Sequence, residues 1–220
     1  MELIPLFPLP VVVFPGQPVV LHIFEERYKA MVADCEPPPG IDEYTPFGIC
    51  LDRGNGKVEK VGCTVVVQGV TQRYPDGSFD VRGTASRRFI TRESFEDEPY
   101  LTASVDYLTD DDEEVDVELA NRAAESLAQL IDLASGGGKP GESSEGPEGP
   151  PLEPGAPQSS FDMAPKAALD VDKQQNLLEL TSENRRLQLL VDHLDELVPA
   201  QRARLEEQER AKSNGKPRKI

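Results

Sequence analysis

Prolines near the N-terminus restrict what this chain can fold into more than any other feature of its sequence. Five of them fall between residues 5 and 18. Each fixes its own φ and lacks an amide donor, so no long helix can form there. The apolar residues 11–14 between them are strand formers, and Pro15-Gly16 predicts a turn. Residues 19–23 predict a second strand, and from Phe24 to Cys35 the apolar spacing becomes that of one helix face.

Short apolar segments with turn signals between them continue to residue 107. They indicate β-strands at residues 47–51, 58–70, 79–82, 88–95 and 101–107. The continuous run at 63–67 is long enough to be covered on both faces. Turns are marked by Asn55-Gly56, a hairpin signal, and by Pro75-Asp76-Gly77, in which glycine accepts the left-handed position. Six to eight short strands with one short helix predict a closed or nearly closed barrel.

The second half of the chain changes to helical spacing. One helix is expected within residues 111–134, after an acidic boundary that suits a helix N-terminus. Residues 135–165 are rich in Gly, Pro, Ser and Glu, and they predict a disordered linker because such a composition buries too little apolar surface. Residues 166–212 predict a helical subdomain, and residues 213–220 a basic tail. The expected class is α+β, with a mainly antiparallel barrel over residues 1–110 followed by a small α-helical bundle.

Capping residues and leucines locate two helices in the helical subdomain. Asp170 caps the first, which is expected to end near Leu180, and Thr181 and Ser182 cap the second. Four leucines then repeat at steps of three and four residues: Leu187, Leu190, Leu194 and Leu197. This leucine stripe covers only about two heptads, so packing against helices of the same chain is favoured over pairing with a second chain. Pro199 is expected to interrupt this helix, and the charged residues after it, to Lys212, are expected to form a frayed helix.

The chain is strongly acidic, and the charge is unevenly distributed. The formal net charge is −17; residues 1–110 carry 17 acidic and 10 basic residues, and residues 111–198 carry 20 and 6. Such a surface repels a phosphate backbone, which proteins bind with lysine and arginine, so nucleic acid is not expected as a partner. The short basic end after residue 199 is the exception, and a solubilising tail is the favoured interpretation of it.

Cysteine usage and the lack of targeting signals indicate a cytoplasmic protein. Cys35, Cys50 and Cys63 form neither a CxxC pair nor a metal-ligand spacing, and buried free thiols in a reducing compartment are expected. No apolar run approaches the roughly 18 residues that a membrane span requires. The N-terminus lacks a basic segment and its apolar part is broken by prolines, so it does not match a signal peptide.

Residues that could carry chemistry are few. His22 lies in an apolar run, where a structural role is expected, and His193 is expected on the solvated face of a helix. Residues 54–57 lack the spacing of a phosphate-binding loop, no serine stands in a nucleophile elbow, and no metal-ligand cluster is seen. Catalysis, a metal and a cofactor are therefore not expected.

The opening stretch also resembles a known family. The run PLFPLPVVVFPG at residues 5–16, followed by LHIFEERY at residues 21–28, is similar to the start of the LON domain, the substrate-binding N-terminal domain of ATP-dependent Lon protease. Further motifs agree in order: Pro46-Phe47-Gly48-Ile49, Val61-Gly62-Cys63-Thr64, Pro75-Asp76-Gly77, Arg88-Phe89, Tyr100-Leu101 and Arg186-Leu187. The resemblance extends from residue 1 to near residue 198, and the long linker departs from the family pattern.

The resemblance implies a PUA-like pseudo-barrel with a binding role. A full Lon protease continues into an ATPase module and a serine–lysine peptidase, and the sequence shows neither, so a stand-alone, non-catalytic bacterial LON domain is expected. It would bind unfolded or hydrophobic polypeptide in protein quality control, as an adaptor to a protease or chaperone. Rigid apolar residues suit such contacts because ordering them costs little entropy. The candidate contacts are Pro8, Pro10, Phe14, Pro15, Phe24, Tyr28 and Met31.

Alternatives stay open at this point. PUA-like barrels often bind RNA, against which the acidic charge argues, and the leucine stripe would suit an oligomerising module. For Phe24, Tyr28 and Met31, core contacts of the helix are favoured over ligand contacts. Burial of three apolar side chains supplies roughly 5–8 kcal/mol against an association cost of about 4–15 kcal/mol. Binding at one such site is therefore expected to be weak, about micromolar to millimolar.

Overall fold

The structure is a computed structural model of the chain, and it describes residues 2–37, 44–54, 56–96, 99–135 and 159–214. These residues form two compact units. The first contains the chain up to Asp112 together with Asp170–Thr181, and the second contains the described residues from Glu113 to 135, residues 159–169 and the chain from Ser182 onward. The expected boundaries near residues 110 and 166 remain predictions, but the segment Asp170–Thr181 groups with the strands rather than with the other helices.

The described residues form six strands, five α-helices and one short 3₁₀ turn. In chain order these are β1 (Glu2–Leu9), β2 (Pro18–Ile23), α1 (Glu26–Cys35), β3 (Phe47–Asp52), β4 (Val58–Arg73), β5 (Phe79–Phe95), β6 (Leu101–Tyr107), α2 (Val117–Ala134), α3 (Ser160–Met163), the 3₁₀ turn Ala164–Lys166, α4 (Val171–Glu179) and α5 (Glu183–Asn214).

In the first unit the strands close into a ring. The order is β2-β5-β4-β3-β1-β6, and β5 pairs with β6 as well, so β5, β4, β3, β1 and β6 form a closed circuit with β2 attached to β5. The β1–β3 ladder is parallel and the other ladders are antiparallel. The predicted α+β class with a mainly antiparallel barrel is confirmed.

Closure depends on β5, which sequence analysis divided into two strands. Its first half pairs with β2 and its second half with β6, while β4 follows it through three register shifts. Small residues allow the close approach that this requires. A Cβ added to Gly83 would lie 2.7 Å from Val65 Cγ1 and 2.7 Å from the carbonyl oxygen of Val66. The polar residues between the two predicted strands therefore continue the ladder instead of ending it.

The first strand contains prolines and precedes the predicted one. Residues 11–14 are not a strand; β1 runs from Glu2 to Leu9 and includes Pro5 and Pro8. The register explains how these prolines are accommodated. Residues 2–6 pair with β6 and residues 6–9 with β3, so each half of β1 has one side without a ladder partner. A residue without an N–H is tolerated in such an edge position.

The core of the first unit has two parts. The larger cluster buries Phe7, Phe47 and Val65 together with the inner face of α1, and the smaller cluster centres on Leu6 and Phe89. α1 contributes its buried residues Tyr28, Met31, Val32 and Cys35. The helix face predicted from the apolar spacing is therefore confirmed from Tyr28 onward.

Helix α4 is bound to the strands by buried polar groups. Asp170 caps its N-terminus by accepting from the backbone N–H of Lys173 at 2.8 Å, as expected. Gln175 Nε2 donates to the carbonyl oxygen of Val61 at 3.1 Å. At the other end of α4, buried Arg88 donates to the carbonyl oxygens of Leu178 and Leu180 at 2.7 and 2.5 Å.

In the second unit α2 packs against α5, and the leucine stripe lies in this contact. Leu187, Leu190 and Leu194 are fully buried, opposite the buried face of α2 that contains Ala123 and Leu127. The leucine stripe thus packs within the chain, and its three buried leucines are not available to a second chain.

Three expectations for the second half were wrong. α3 begins at Ser160, inside the predicted linker, and Ser160 and Met163 are buried; residues 136–158 lie outside the described residues. The helix expected after Pro199 is present, but the interruption is not: α5 continues through Pro199 to Asn214, since a proline removes one helical hydrogen bond without necessarily ending the helix. His193 is not simply solvated, because its Nε2 lies 3.0 Å from the carbonyl oxygen of Ala167. Among the described residues, no helix combines the length and apolar character needed to span a bilayer.

Candidate functional site

A cleft of about 880 Å³ opens in the first unit where β1 ends and α1 begins. The turn that joins β3 to β4 and the segment that joins β5 to β6 complete its walls. It is lined by Phe7, Pro8, Leu9, Pro10, Glu25, Arg27, Tyr28, Asp52, Gly56, Val58, Ser94, Glu96, Pro99, Tyr100 and Leu101. The proline-rich opening stretch thus contributes four consecutive residues, 7–10, to the lining.

The inner part of the cleft is aromatic and rigid. The rings of Phe7 and Tyr28 lie 4.0 Å apart, and Phe7 also lies 6.2 Å from Phe47 in the core behind it. Tyr100 donates its hydroxyl hydrogen to Asp34 Oδ2 at 2.7 Å, which holds its ring in place. Half-buried Leu9, Val58 and Leu101 extend this apolar surface toward the opening. Apolar ligand groups would gain free energy here by leaving water.

The outer part of the cleft is charged, and most of the charge is negative. We define the acidic rim as Glu25, Asp52 and Glu96, which line the opening together with one base, Arg27. Arg27 lies over the Tyr28 ring at 4.5 Å from its centroid and forms an ion pair with Glu25 at 2.8 Å. Asp52 accepts from the backbone N–H of Gly54 at 2.7 Å, which fixes the carboxylate at the end of β3.

Tyr28 keeps its proton at neutral pH. Burial raises the pKa of Tyr28 above its ordinary value of 10.0, Arg27 opposes this, and the carboxylates of Glu25 and Asp52 raise it further. The residue is therefore a neutral phenol, which packs through its ring on Phe7. Because the Asp52 carboxylate contributes to this shift, its negative charge acts on the interior of the cleft.

The predicted contact residues separate into three groups in the structure. Pro8, Pro10 and Tyr28 line the cleft. Phe14 and Met31 are 1% and 0% exposed, so their side chains belong to the core and offer no surface to a ligand in this conformation. Phe24 and Pro15 lie outside the cleft. For Phe24 the favoured core interpretation was wrong, because α1 begins at Glu26 and the Phe24 side chain is 63% exposed.

Several residues of the cleft were not identified from the sequence. Leu9, Val58 and Leu101 come from three different strands, and only pairing of these strands brings them together. Tyr100-Leu101 did belong to the motifs that carried the family resemblance, which was the one available signal. Nothing in the local sequence distinguishes Asp52 and Glu96 from the many other acidic residues of an acidic chain.

Other groups with possible chemistry have structural partners. His22 Nδ1 lies 2.7 Å from Asp80 Oδ1 on the outer side of β2 and β5, and this hydrogen bond, with that of Tyr74, lowers the pKa of Asp80. Burial raises the pKa of Cys50 and of Cys63 to about 12, so neither is a thiolate nucleophile. Over the part of the chain that the structure describes, no group of His, Cys, Asp and Glu has the arrangement of a metal site.

Comparison with known proteins gives one family and several fold relatives. The family model for the ATP-dependent protease La (LON) substrate-binding domain matches residues 3–196. The crystal structure of a Lon N-terminal domain protein from Xanthomonas campestris is similar with a TM-score of 0.63 and 24% identity, over 87% of this chain and 98% of that one. The N-terminal domain of a Mycobacterium avium complex Lon protease is similar with a TM-score of 0.58 and 15% identity, over 89% of this chain and 100% of that one. At these identities the two structures show a shared fold.

Proposed function

The chain belongs to the LON substrate-binding domain family, and from this membership we propose that it binds unfolded or hydrophobic polypeptide segments in the cleft between β1, α1 and the β3–β4 turn. The observation that carries the proposal is the apolar lining of this cleft, in which the half-buried side chains of Leu9, Val58 and Leu101 adjoin the buried rings of Phe7, Tyr28 and Tyr100. A substrate-binding domain needs an accessible apolar surface, and this cleft combines one with a rigid frame.

The dimensions of the cleft suit a short stretch of extended chain. Its volume of about 880 Å³ lies within the range of about 300–1,000 Å³ typical of ligand sites, enough for a few side chains. Pro8 and Pro10 are already ordered, so they lose little entropy when a ligand packs on them. Binding is nevertheless expected to be weak, since burial of a few side chains only modestly exceeds the cost of association.

We extend the proposal to a role as an adaptor in the cytoplasm. Weak binding of exposed apolar segments becomes effective when a second protein adds a further contact, because linked sites raise the effective concentration. A protease or a chaperone would supply that contact and act on the captured chain. Three buried free cysteines support a reducing compartment. The proposal assigns no catalytic step to this domain.

Fluorescence anisotropy with labelled hydrophobic peptides tests the proposal. Replacing Leu9 and Leu101 with serine removes apolar surface from the cleft, and both residues are half-buried, so the fold is expected to persist, as circular dichroism would check. We expect at least about tenfold weaker binding, the equivalent of about 1.4 kcal/mol. The matched control is Phe24→Ser, which removes an exposed apolar side chain outside the cleft.

Three results would count against the proposal. The first is an absence of saturable binding of any hydrophobic peptide to the intact protein. The second is unchanged binding by the Leu9→Ser/Leu101→Ser variant. The third is a loss confined to Phe24→Ser, which would place the polypeptide site on the exposed face near β2 instead.

A further inference from the structure

We propose that the cleft selects polypeptide segments in which apolar side chains are adjacent to lysine or arginine, and that it discriminates against acidic segments. This inference rests on the proposed function, and it specifies which hydrophobic segments the site prefers. The acidic rim and a basic occupant of the cleft would be complementary in charge.

The charges around the cleft do not cancel. The rim supplies three carboxylates and one guanidinium. Arg27 is already committed to Glu25 through contacts of 2.8 and 2.9 Å, so this pair is neutral as a unit. Asp52 and Glu96 are left, and within the described residues neither forms an ion pair with a lysine or arginine. The cleft therefore has an excess of two negative charges at its opening.

The position of Asp52 suits it for binding a cation. It is the last residue of β3, and its Oδ1 already accepts from the Gly54 N–H at 2.7 Å, so it is ordered before a ligand arrives. An ordered carboxylate loses less entropy on pairing than a mobile one, which is the cost that makes most surface ion pairs weak. Its other oxygen has no hydrogen-bond donor among the described residues.

Glu96 provides the second charge from a different part of the barrel. It directly follows the last residue of β5, whereas Asp52 ends β3. Asp52 and Glu96 line the same cleft as Tyr28 and Leu101, so a segment with an apolar side chain on these two residues would have its flanking residues near the carboxylates.

Long basic side chains fit this arrangement better than short polar ones. Lysine and arginine lay their apolar stems along a hydrophobic surface while the charged head remains in water. In the cleft the stem would contact the apolar walls and the head would reach the rim. A glutamate at the same position would bind more weakly, because its carboxylate would be repelled by those of the rim.

The discrimination is expected to be moderate. An exposed ion pair changes an equilibrium by a factor of about 1.4 to 5. Two uncompensated carboxylates therefore give about a tenfold preference for a lysine-flanked over a glutamate-flanked peptide. The preference should shrink as salt is added, because the Debye length falls to about 8 Å at physiological ionic strength.

Three peptides with one apolar core and lysine, glutamine or glutamate flanks test the inference on the intact protein by fluorescence anisotropy. We expect affinity to fall in that order, and the lysine-to-glutamate ratio to approach one in the variant Asp52→Asn/Glu96→Gln. The asparagine side chain can still accept from Gly54, so the turn is retained. The matched control is Glu36→Gln/Glu93→Gln, which removes two exposed acids outside the cleft and should keep the ratio.

The outcomes separate this inference from the proposed function. If none of the three peptides binds, the proposed function is wrong. If all three bind with equal affinity, polypeptide binding stands and the charge preference is overturned. If the Glu36→Gln/Glu93→Gln control lowers the ratio as much as the cleft variant does, the preference comes from the net charge of the domain, and the assignment to Asp52 and Glu96 fails.

Discussion

At the scale of single residues, glycines determine how closely the strands of the barrel approach each other. A Cβ added to Gly62 would lie 2.3 Å from the carbonyl oxygen of Ile49 and 2.7 Å from the Phe89 ring. A Cβ added to Gly48 would lie 2.6 Å from the Phe89 ring and 2.8 Å from the Leu6 side chain. These distances are shorter than real Cβ contacts, and because the closest atom to Gly62 belongs to the backbone of β3, the two strands would have to move apart to accept a side chain there.

We therefore expect Gly62→Ala to lower the free energy of unfolding by about 1–3 kcal/mol, the usual cost of overpacking a core. Urea denaturation followed by circular dichroism measures it. The neighbouring exposed residue gives the control, since Lys60→Ala should stay within about 0.5 kcal/mol of the original protein. Equal stability of Gly62→Ala and the unsubstituted chain would mean that β3 and β4 are farther apart than the structure shows.

The three buried cysteines should lower the free energy of unfolding as the pH becomes alkaline. Burial raises the pKa of Cys35 to about 11 and of Cys50 and Cys63 to about 12, from 9.0 in an exposed thiol. As pH rises past 9.0 the unfolded chain loses these protons first, while the folded chain still holds them. The stability present below pH 9.0 is therefore lost progressively up to about pH 12.

Urea titrations across this alkaline interval would measure the loss, which we expect to be smaller in Cys50→Ala/Cys63→Ala than in the unsubstituted protein. A thiol reagent provides a second readout. All three thiols should react much faster in the unfolded than in the folded protein, because only the thiolate attacks. Equal reaction rates in the two states would show that the cysteines are not buried.

At the scale of secondary-structure elements, Arg88 connects the barrel to α4. Its side chain is 3% exposed and pairs with Asp110, and it also donates to the carbonyl oxygens of Leu178 and Leu180. The last carbonyls of a helix have no partner within the helix, so one guanidinium supplies what the end of α4 lacks. The family resemblance included Arg88 as a motif residue, but its role required the fold.

We expect Arg88→Met to destabilise the protein by about 1–3 kcal/mol, because the carbonyl oxygens of Leu178 and Leu180 would lose their donor. Arg88→Lys should recover only part of this, because an ammonium cannot match the fixed geometry of a guanidinium. Hydrogen exchange gives a readout specific to the element. The amides of α4 should lose protection before those of β4, and uniform loss across both would contradict the proposed connection.

Secondary-structure elements were predicted correctly where the apolar spacing within the segment determines them. They were predicted wrongly where pairing with another strand determines them. β6 and the face of α1 followed from alternation and helical spacing within a few residues. The position of β1 did not, because prolines disfavour a strand unless its register leaves one side unpaired, and register is a property of two strands. β5 was divided for the same reason, since its middle is continuous only through its ladder with β4.

The candidate site shows a similar limit. Of the predicted contacts, Pro8, Pro10 and Tyr28 line the cleft, and their contact with polypeptide stays a prediction. Apolar character alone, however, does not tell a core residue such as Met31 from a surface residue such as Phe24, because both are equally favourable to bury. Leu9 and Leu101 are separated by most of the barrel sequence, and only closure of the ring brings them to one cleft.

At the scale of the whole molecule, charge decides which kind of polymer can bind. With a net charge of −17, the chain attracts cations over distances beyond direct contact and repels polyanions. The barrel portion has the same sign, with 17 acids and 10 bases up to residue 110. The charge that is expected to weaken RNA binding is thus the charge that, in our proposal, favours basic, apolar polypeptide at the acidic rim.

We therefore expect no retention of single-stranded RNA at physiological salt in a mobility-shift assay. Any binding at low salt should come from the basic end of α5, where Arg202, Arg204 and Arg210 are exposed, and should disappear when these three are replaced with glutamine. The cleft is formed by other residues, so peptide affinity should not change in that variant. RNA binding at physiological salt that survives the three substitutions would require a phosphate-binding surface on the barrel, which its excess of carboxylates argues against.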